Sequence, residues 1–398
     1  MTELFSIQNK LLGNVSNSWY RSAFDTIDWR QRLIGIKGLR GVGKTTMMLQ
    51  FMKYHTSDVN KALYITADSP WFYQNSLYTT IEEWGKSGGE IIIIDEVHKY
   101  PQWSRELKVA FDVHADMKFL FSASSAFDIF KAEGDLSRRA YVVQLPGMSF
   151  REYLSYVHGL DFPPVALDDL LHRAAEVSKE LLTRFKPLPY FKQYLEMGYF
   201  PFTAKGTDIM YRQKLGALVN TVLESDLASV QDYSPTNIRK IKKLLSVIAE
   251  SAPFTPNISK IAERLGVGRV TVYNFLTHLE DARILNSAHK FGKGIAELQK
   301  PDKIYIENPN LALALTDDVS KGNLRESFFV NQIRNAGHEL NLAEKGDFFV
   351  DKSYTFEVGG GSKSGKQIKD IPNSYLVQDD IEYASQRTIP LWMFGLLY

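Results

Sequence analysis

Two short runs hold residues whose types and spacing suit phosphate chemistry. Gly38-Leu39-Arg40-Gly41-Val42-Gly43-Lys44-Thr45 fits the pattern G-x-x-x-x-G-K-[ST], with Thr46 following. Glycines let successive backbone N–H groups, those of Gly41, Val42 and Gly43 among them, turn inward around phosphate oxygens. The N-terminus of a helix expected over Thr46 to Tyr54 would add its positive dipole end. Lys44 supplies a point charge, and Thr45 offers a hydroxyl to Mg²⁺. Downstream, Glu90-Ile91-Ile92-Ile93-Ile94-Asp95-Glu96 is a buried-strand run ending in two acids. Asp95 would hold the Mg²⁺ shell, while Glu96 could orient or deprotonate an attacking water. A lone acid after an apolar strand is ordinarily a solvated strand end. Following a phosphate loop, the pair supports hydrolysis as well as binding.

Two further groups have more than one reading. Ser122-Ala123-Ser124-Ser125 ends the next apolar run, and a small hydroxyl at that end could hydrogen-bond the γ-phosphate or the water, sensing a triphosphate. Serines also serve as turn and helix caps. Leu136-Ser137-Arg138-Arg139 precedes another strand, so Arg138 or Arg139 could reach a γ-phosphate of its own or a neighbouring subunit, or simply be solvated. The second case would make the protein an oligomer. His98 is expected to pack at a helix start rather than to bind metal.

These residues need a scaffold that brings strand ends together. From about residue 33 to 147, LIGIKG, ALYITAD, EIIIIDE, KFLFSAS and YVVQLPG alternate with helical patterns. Continuous apolar strands separated by helices predict an α/β fold, a P-loop NTPase parallel sheet covered on both faces. Residues 148 to 298 are expected to be helical without strands. Residues 299 to 398 bring back short runs, KIYIE, DFFV, SYTFEVG, SYLVQ and LWMFGLLY, around one helix pattern, LRESFFVNQIRNAG. The expected organisation is a P-loop ATPase domain over 1–147, a helical linker over 148–235, a winged-helix domain over 236–298 and a small α/β domain over 299–398.

Composition removes other chemistries. Lys+Arg 47 against Asp+Glu 46 leaves a formal charge of +1, so no global basic excess points to nucleic acid or acidic lipid. The absence of cysteine excludes disulfides, thiolate zinc sites, Fe–S clusters and cysteine nucleophiles. No H-E-x-x-H run is present, and the letters G-x-S-x-G occur only at Gly85 to Gly89, ahead of the isoleucine strand run rather than between a strand and a following helix, so they form no nucleophile elbow. Oxygen-ligated Mg²⁺ is the metal chemistry that remains. The first residues lack a basic stretch followed by an apolar core, and no apolar run approaches the roughly 20 residues of a spanning helix. A cytoplasmic protein without a membrane partner is expected.

At these motifs the chain resembles the prokaryotic AAA+ ATPases in which a P-loop domain is joined to a C-terminal region of unassigned function containing a winged helix and a restriction-endonuclease-like fold. The resemblance covers nearly the whole chain and rests on GLRGVGKTTMML, IIIIDEVHKYPQWSRELK, SASSA, LSRRAYVVQLPGMSFREYL and KPDKIYIENPNLALAL. It implies ATP and Mg²⁺ as ligands, with Lys44 and Thr45 binding nucleotide, Asp95 and Glu96 serving Mg²⁺ and hydrolysis, and Ser124 or Ser125 as sensor. The arginine position in that family reads Gly-Arg, where this chain has Ser137-Arg138-Arg139.

Further along, NISKIAERL, the turn Gly266-Val267-Gly268 and RVTVYNFLTHLEDA have helix-turn-helix spacing, with Ala262, Leu265, Val267, Val272 and Leu276 as the locking positions. Arg269, Thr271, Tyr273, Asn274 and His278, with Arg239, Lys240, Lys242 and Lys243 nearby, could meet DNA; winged helices also bind proteins. Glu326 on a helix, Asp347 at a strand start and Glu357 on the next strand resemble the PD-(D/E)xK nuclease core, in which two acids share a Mg²⁺. The lysine expected two residues after Glu357 is replaced by Gly359, so Lys363 or Lys366 would have to stand in. A nuclease fold kept as a scaffold is the alternative. Three functions are thus open: an ATPase switch acting on a nucleic-acid or protein partner, a nuclease module gated by the ATPase, and an ATP-binding signalling scaffold with little turnover.

Overall fold

The computed structural model describes residues 1–126, 136, 138–205, 207–228, 233–251, 253–292 and 300–398. Ser137 and the expected boundary between 298 and 299 lie outside the described residues. The chain divides into two compact units, Met1–Pro146 and Gly147–Tyr398.

The first unit is a parallel five-stranded sheet with helices on both faces. Its strands are β1 (Leu33–Gly38), β2 (Ala62–Thr66), β3 (Ile91–Asp95), β4 (Lys118–Ser124) and β5 (Tyr141–Gln144), in the order β2-β3-β4-β1-β5. All neighbours run parallel. The isoleucine run forms β3 because β-branched side chains suit a strand buried on both sides. Ile92 and Ile94 join the cluster with Trp84, Trp103, Leu107 and Phe121. Ile93, of opposite parity, is buried on the other face. The helix Lys44–His55 packs on β1 and β4 and buries Met47, Met48, Phe51 and Met52. The connections leaving β1 and β4 run toward opposite edges of the sheet, which opens a crevice at their carboxyl ends.

The second unit begins with helices. Phe150–His158, the FREYL segment, starts on a reciprocal cap in which Ser149 and Glu152 each satisfy the other's backbone N–H. The helices Ile258–Leu265 and Arg269–Asp281 flank Gly266, which takes the left-handed conformation at φ 60° that ends the first of them. Ala262, Leu265, Val272 and Leu276 are buried between them as expected, while Val267 is only half-buried.

Two differences from the sequence expectation concern strands. The segment expected to be strand-free contains β6 (Leu285–Ala288), which pairs antiparallel with β7 (Lys303–Ile306); Phe254 bridges to Ile304 on the other side. KIYIE therefore completes a hairpin after the helix-turn-helix instead of opening the C-terminal sheet. LNSA is too short and too polar to show alternation, yet all four residues are buried. The terminal apolar run is the second difference. Only Thr388–Pro390 is strand, and Leu391–Leu396 coils into buried 3₁₀ turns.

The C-terminal sheet adds β8 (Leu340–Leu342), β9 (Phe348–Val350), β10 (Tyr354–Gly359), β11 (Ser374–Gln378) and β12 (Thr388–Pro390), in the order β12-β11-β10-β9-β8. β8, β9 and β10 form an antiparallel meander, and β10, β11 and β12 run parallel. The helix Lys321–Asn335 packs against β10. Among the described residues no helix is long and apolar enough to cross a membrane.

Candidate functional site

The loop between β1 and the helix Lys44–His55 has backbone that favours glycine. Gly41 and Gly43 have φ of 79° and 101°, in the left-handed region. A Cβ on Gly38 would lie 2.5 Å from the Leu145 carbonyl oxygen. The helix opens directly after Gly43, so the N–H groups of Lys44, Thr45 and Thr46 belong to its first turn, for which the helix itself supplies no acceptor. Lys44 is buried at 5% exposure, and its Nζ donates to the Gly38 and Leu39 carbonyls at 3.0 and 3.2 Å. Arg21, from the segment before the sheet, is also buried and donates to the Val42 and Pro146 carbonyls, bracing the loop from behind.

Beside the loop, β3 ends on Asp95. Thr45 Oγ1 donates to Asp95 Oδ2 at 2.6 Å, and the Tyr64 hydroxyl from β2 donates to the same oxygen at 2.9 Å. Burial, reinforced by the Asp95 carboxylate, pushes the Tyr64 phenol up, so it stays a donor. Ser122 from β4 donates to Asp95 Oδ1 and accepts the Glu96 N–H at 2.9 Å. Asp95 is therefore a buried carboxylate oriented by three hydroxyls, 3% exposed. A carboxylate and a threonine hydroxyl in this relation fit a hard, oxygen-seeking cation that keeps waters and phosphate oxygens as its other ligands. Among the described residues no group of three or more His, Asp or Glu gathers to hold a metal by itself.

Glu96 follows in a left-handed conformation at φ 53°, unusual for a residue with a side chain. Its carboxylate lies 3.3 Å from Arg40 Nη2 and 3.9 Å from Lys44 Nζ, with His98 Nε2 at 3.4 Å. The phosphate loop and the acid pair thus meet at one crevice, and Gly38, Gly41, Val42, Gly43, Lys44, Thr45, Asp95 and Glu96 are brought together.

Ser124 and Ser125 are buried at the same strand end, where the Ser124 N–H donates to His98 Nδ1 at 3.3 Å and the Ser125 N–H to the Gly38 carbonyl at 3.1 Å. The serine hydroxyl that touches Asp95 is Ser122, two residues earlier on the same face of β4. Sequence reasoning did not single it out, nor Tyr64, Arg21 or Arg40. Arg138 and Arg139 lie elsewhere. They precede β5, which starts opposite Ile34, so they sit at the far end of the sheet from Gly38, roughly a strand length of 17–20 Å away. Arg138 is exposed, and Arg139 pairs with Asp112 at 3.0 Å. An arginine serving its own subunit's phosphates would have to span that strand length from the far end of the sheet.

In the second unit, Lys363 Nζ lies 3.2 Å from Asp347 Oδ2 and 3.5 Å from Glu357 Oε1. Asp347 Oδ2 also accepts the Val358 N–H at 2.8 Å. Glu357 is 3% exposed and its Oε2 has no hydrogen-bond partner. A Cβ on Gly359 would overlap the Lys363 side chain, so the missing side chain there makes room for the lysine. Glu326 instead accepts from the Tyr305 hydroxyl at 2.8 Å and lies 3.5 Å from Lys303. Of the basic residues around the helix-turn-helix, Lys242 pairs with Glu224 at 2.6 Å and Lys240 donates to the Gly266 carbonyl at 3.0 Å. His278 is held by the Tyr233 hydroxyl. Arg239, Lys243, Arg269 and Asn274 are exposed.

Comparison with known proteins agrees with the first unit's geometry. Residues 30–154 match the family model described as an AAA domain, and residues 188–321 match a domain of unknown function, DUF8612. An uncharacterized protein of Methanocaldococcus jannaschii, MJ1637, is 25% identical over 370 residues, covering 85% of this chain and 78% of its own. Among solved structures, the Saccharomyces cerevisiae Hsp104–ADP complex is similar with a TM-score of 0.31 and 17% identity, over 69% of this chain and 41% of that one. AMPPCP-bound DnaA from Aquifex aeolicus is similar with a TM-score of 0.24 and 15% identity, over 65% of this chain and 84% of that one. Residues 30–154 thus match the AAA domain model, and the sheet they build is the parallel sheet of a P-loop NTPase.

Proposed function

We propose that the protein binds ATP with Mg²⁺ at the loop Gly38–Thr45, hydrolyses it to ADP and phosphate, and uses the nucleotide state as a switch on a nucleic-acid or protein partner. The carrying observation is the 2.6 Å hydrogen bond between Thr45 and Asp95 at the mouth of a glycine loop, with Glu96 next in the chain. Loop N–H groups and Lys44 hold the phosphates and offset their charge, which is most of the work in phosphoryl transfer. Thr45 and Asp95 are the residues to hold Mg²⁺, which would neutralise developing charge on the phosphate oxygens. Glu96 aligns the attacking water and takes its proton. Lys44 exchanges its carbonyl partners for phosphate oxygens when nucleotide enters. Titration calorimetry with ATP and Mg²⁺ tests this reading: binding by the wild type and at least about 100-fold weaker binding by Lys44→Ala is expected, and equal binding by both would reject it.

A second reading, a Mg²⁺-dependent nuclease site at Asp347, Glu357 and Lys363, is favoured by one observation. The residue that lacks a side chain, Gly359, is the one whose Cβ would displace Lys363, so lysine and acids meet despite the altered spacing. Plasmid nicking with Mg²⁺ or Mn²⁺ tests it; activity undiminished in both Asp347→Ala and Glu357→Ala would remove the site.

A further inference from the structure

His98 joins the phosphate loop's neighbouring strand to the acid that aligns water. Its side chain is 0% exposed, in the turn Val97–Lys99 that follows β3. Its Nδ1 accepts the backbone N–H of Ser124 at 3.3 Å, which leaves the ring proton on Nε2. That nitrogen lies 3.4 Å from Glu96 Oε2. The next residue of β4's end, Ser125, donates its N–H to Gly38, the first residue of the phosphate loop. A path therefore runs from the loop through the end of β4 to the imidazole, whose Nε2 stops 3.4 Å short of one carboxylate oxygen of Glu96 without hydrogen-bond alignment between these two buried atoms. Arg40, on the loop itself, lies 3.3 Å from the same oxygen. Glu96 needs such holders, because its backbone turns left-handed and its side chain stands at 19% exposure.

We propose that His98 is a positioning residue: its Nε2–H fixes the Glu96 carboxylate in the orientation that aligns water, and its Nδ1 ties that orientation to the strand end beside the phosphate loop. The proposal rests on the ATPase reading above. It moves no proton and forms no bond; Glu96 remains the group that meets water.

Amide substitutions separate the two ring nitrogens. A glutamine amide reaches the Nε2 position, whereas an asparagine amide reaches only that of Nδ1. ATP turnover, KM and melting temperature are measured for the wild type, Glu96→Gln, His98→Ala, His98→Gln and His98→Asn. The expected result is a kcat for His98→Ala and His98→Asn lowered about 10- to 100-fold. KM for ATP should stay within about threefold, and His98→Gln should hold turnover within about threefold of the wild type. ¹⁵N spectra of the nucleotide-free wild type should show one histidine, absent in His98→Ala, as the Nε2–H tautomer. Wild-type turnover in His98→Ala alongside an inactive Glu96→Gln would overturn the positioning role while leaving the ATPase standing. So would equal losses in His98→Gln and His98→Asn, which mark simple packing, or a proton found on Nδ1. A wild type that turns over no ATP rejects the ATPase reading itself, and the positioning role with it.

Discussion

Lys44 and Lys363 both face carboxylates at the carboxyl end of a parallel strand, yet their surroundings differ in kind. Lys44 rests on two loop carbonyls, with Glu96 at 3.9 Å, inside a glycine loop that leads into a helix N-terminus. Lys363 makes its closest charged contacts with Asp347 and Glu357, at 3.2 and 3.5 Å, and it comes from a turn. The first arrangement supplies many donors to an incoming polyanion and keeps its lysine's charge available. In the second, one lysine stands between two acids and offsets the charge of only one, an arrangement suited to exchange with a divalent cation. A nucleotide site is thus distinguished from an acid–lysine cluster by the backbone donors around the lysine, more than by the lysine.

The comparison can be broken by removing each lysine. Lys44→Ala should cost nucleotide binding at least about 100-fold, while Lys363→Ala should leave it unchanged; a loss in both would mean that the two sites are not independent. Thr45→Ala should next lower turnover by about 10- to 100-fold, with a higher Mg²⁺ concentration needed for half-maximal rate; an unaltered Mg²⁺ dependence would remove Thr45 from the metal. Lys363→Met should destabilise the second unit by about 1–3 kcal/mol by leaving buried Glu357 opposite Asp347 uncompensated, as read by denaturant unfolding. Gly359→Ala should reproduce part of that loss by displacing Lys363. Binding of Mn²⁺ that rises in Lys363→Met would sharpen the cation-exchange view of that cluster.

The smallest effect is a pH dependence that involves neither lysine. Burial raises the Glu307 carboxyl pKa above its ordinary value, although Tyr199, Asn308 and Asn331 all donate to it. The folded state then holds this proton to higher pH than the unfolded chain. Its contribution to stability is full below the unfolded carboxyl value of about 4.3 and is lost as pH rises through the raised folded value. The second unit's melting temperature should decline over that window, and Glu307→Ala should flatten the decline. A decline of equal size in the variant would place its origin in another group.

How legible these sites were depended on the kind of signal. β1 to β4 were visible because buried strands appear as unbroken apolar runs, and β5, only half-buried, through its β-branched pair Val142-Val143. The phosphate loop and Asp95-Glu96 were visible because each position demands a residue type. β6 escaped because LNSA carries no period, and the run after Pro390 misled because a short apolar stretch suits a strand or a coil equally. Ser122 was passed over for Ser124 and Ser125, although strand alternation puts Ser122 and Ser124 on one face. Tyr64 and Arg21 carried no local mark at all; only the sheet order brings β2 beside β3, and only the folded chain brings Arg21 behind the loop. His98 drew notice for its position after two acids, but its contact with Glu96 depends on the left-handed turn at Glu96, which no residue pattern announces.

In the proposed mechanism Glu96 aligns the water that attacks bound ATP. Its most direct test is single-turnover hydrolysis of ATP by Glu96→Gln, with nucleotide affinity measured on the same sample. Affinity within about threefold of the wild type and hydrolysis slowed by about 100- to 10,000-fold is the expected result. Hydrolysis at the wild-type rate by a variant that binds ATP normally would contradict it.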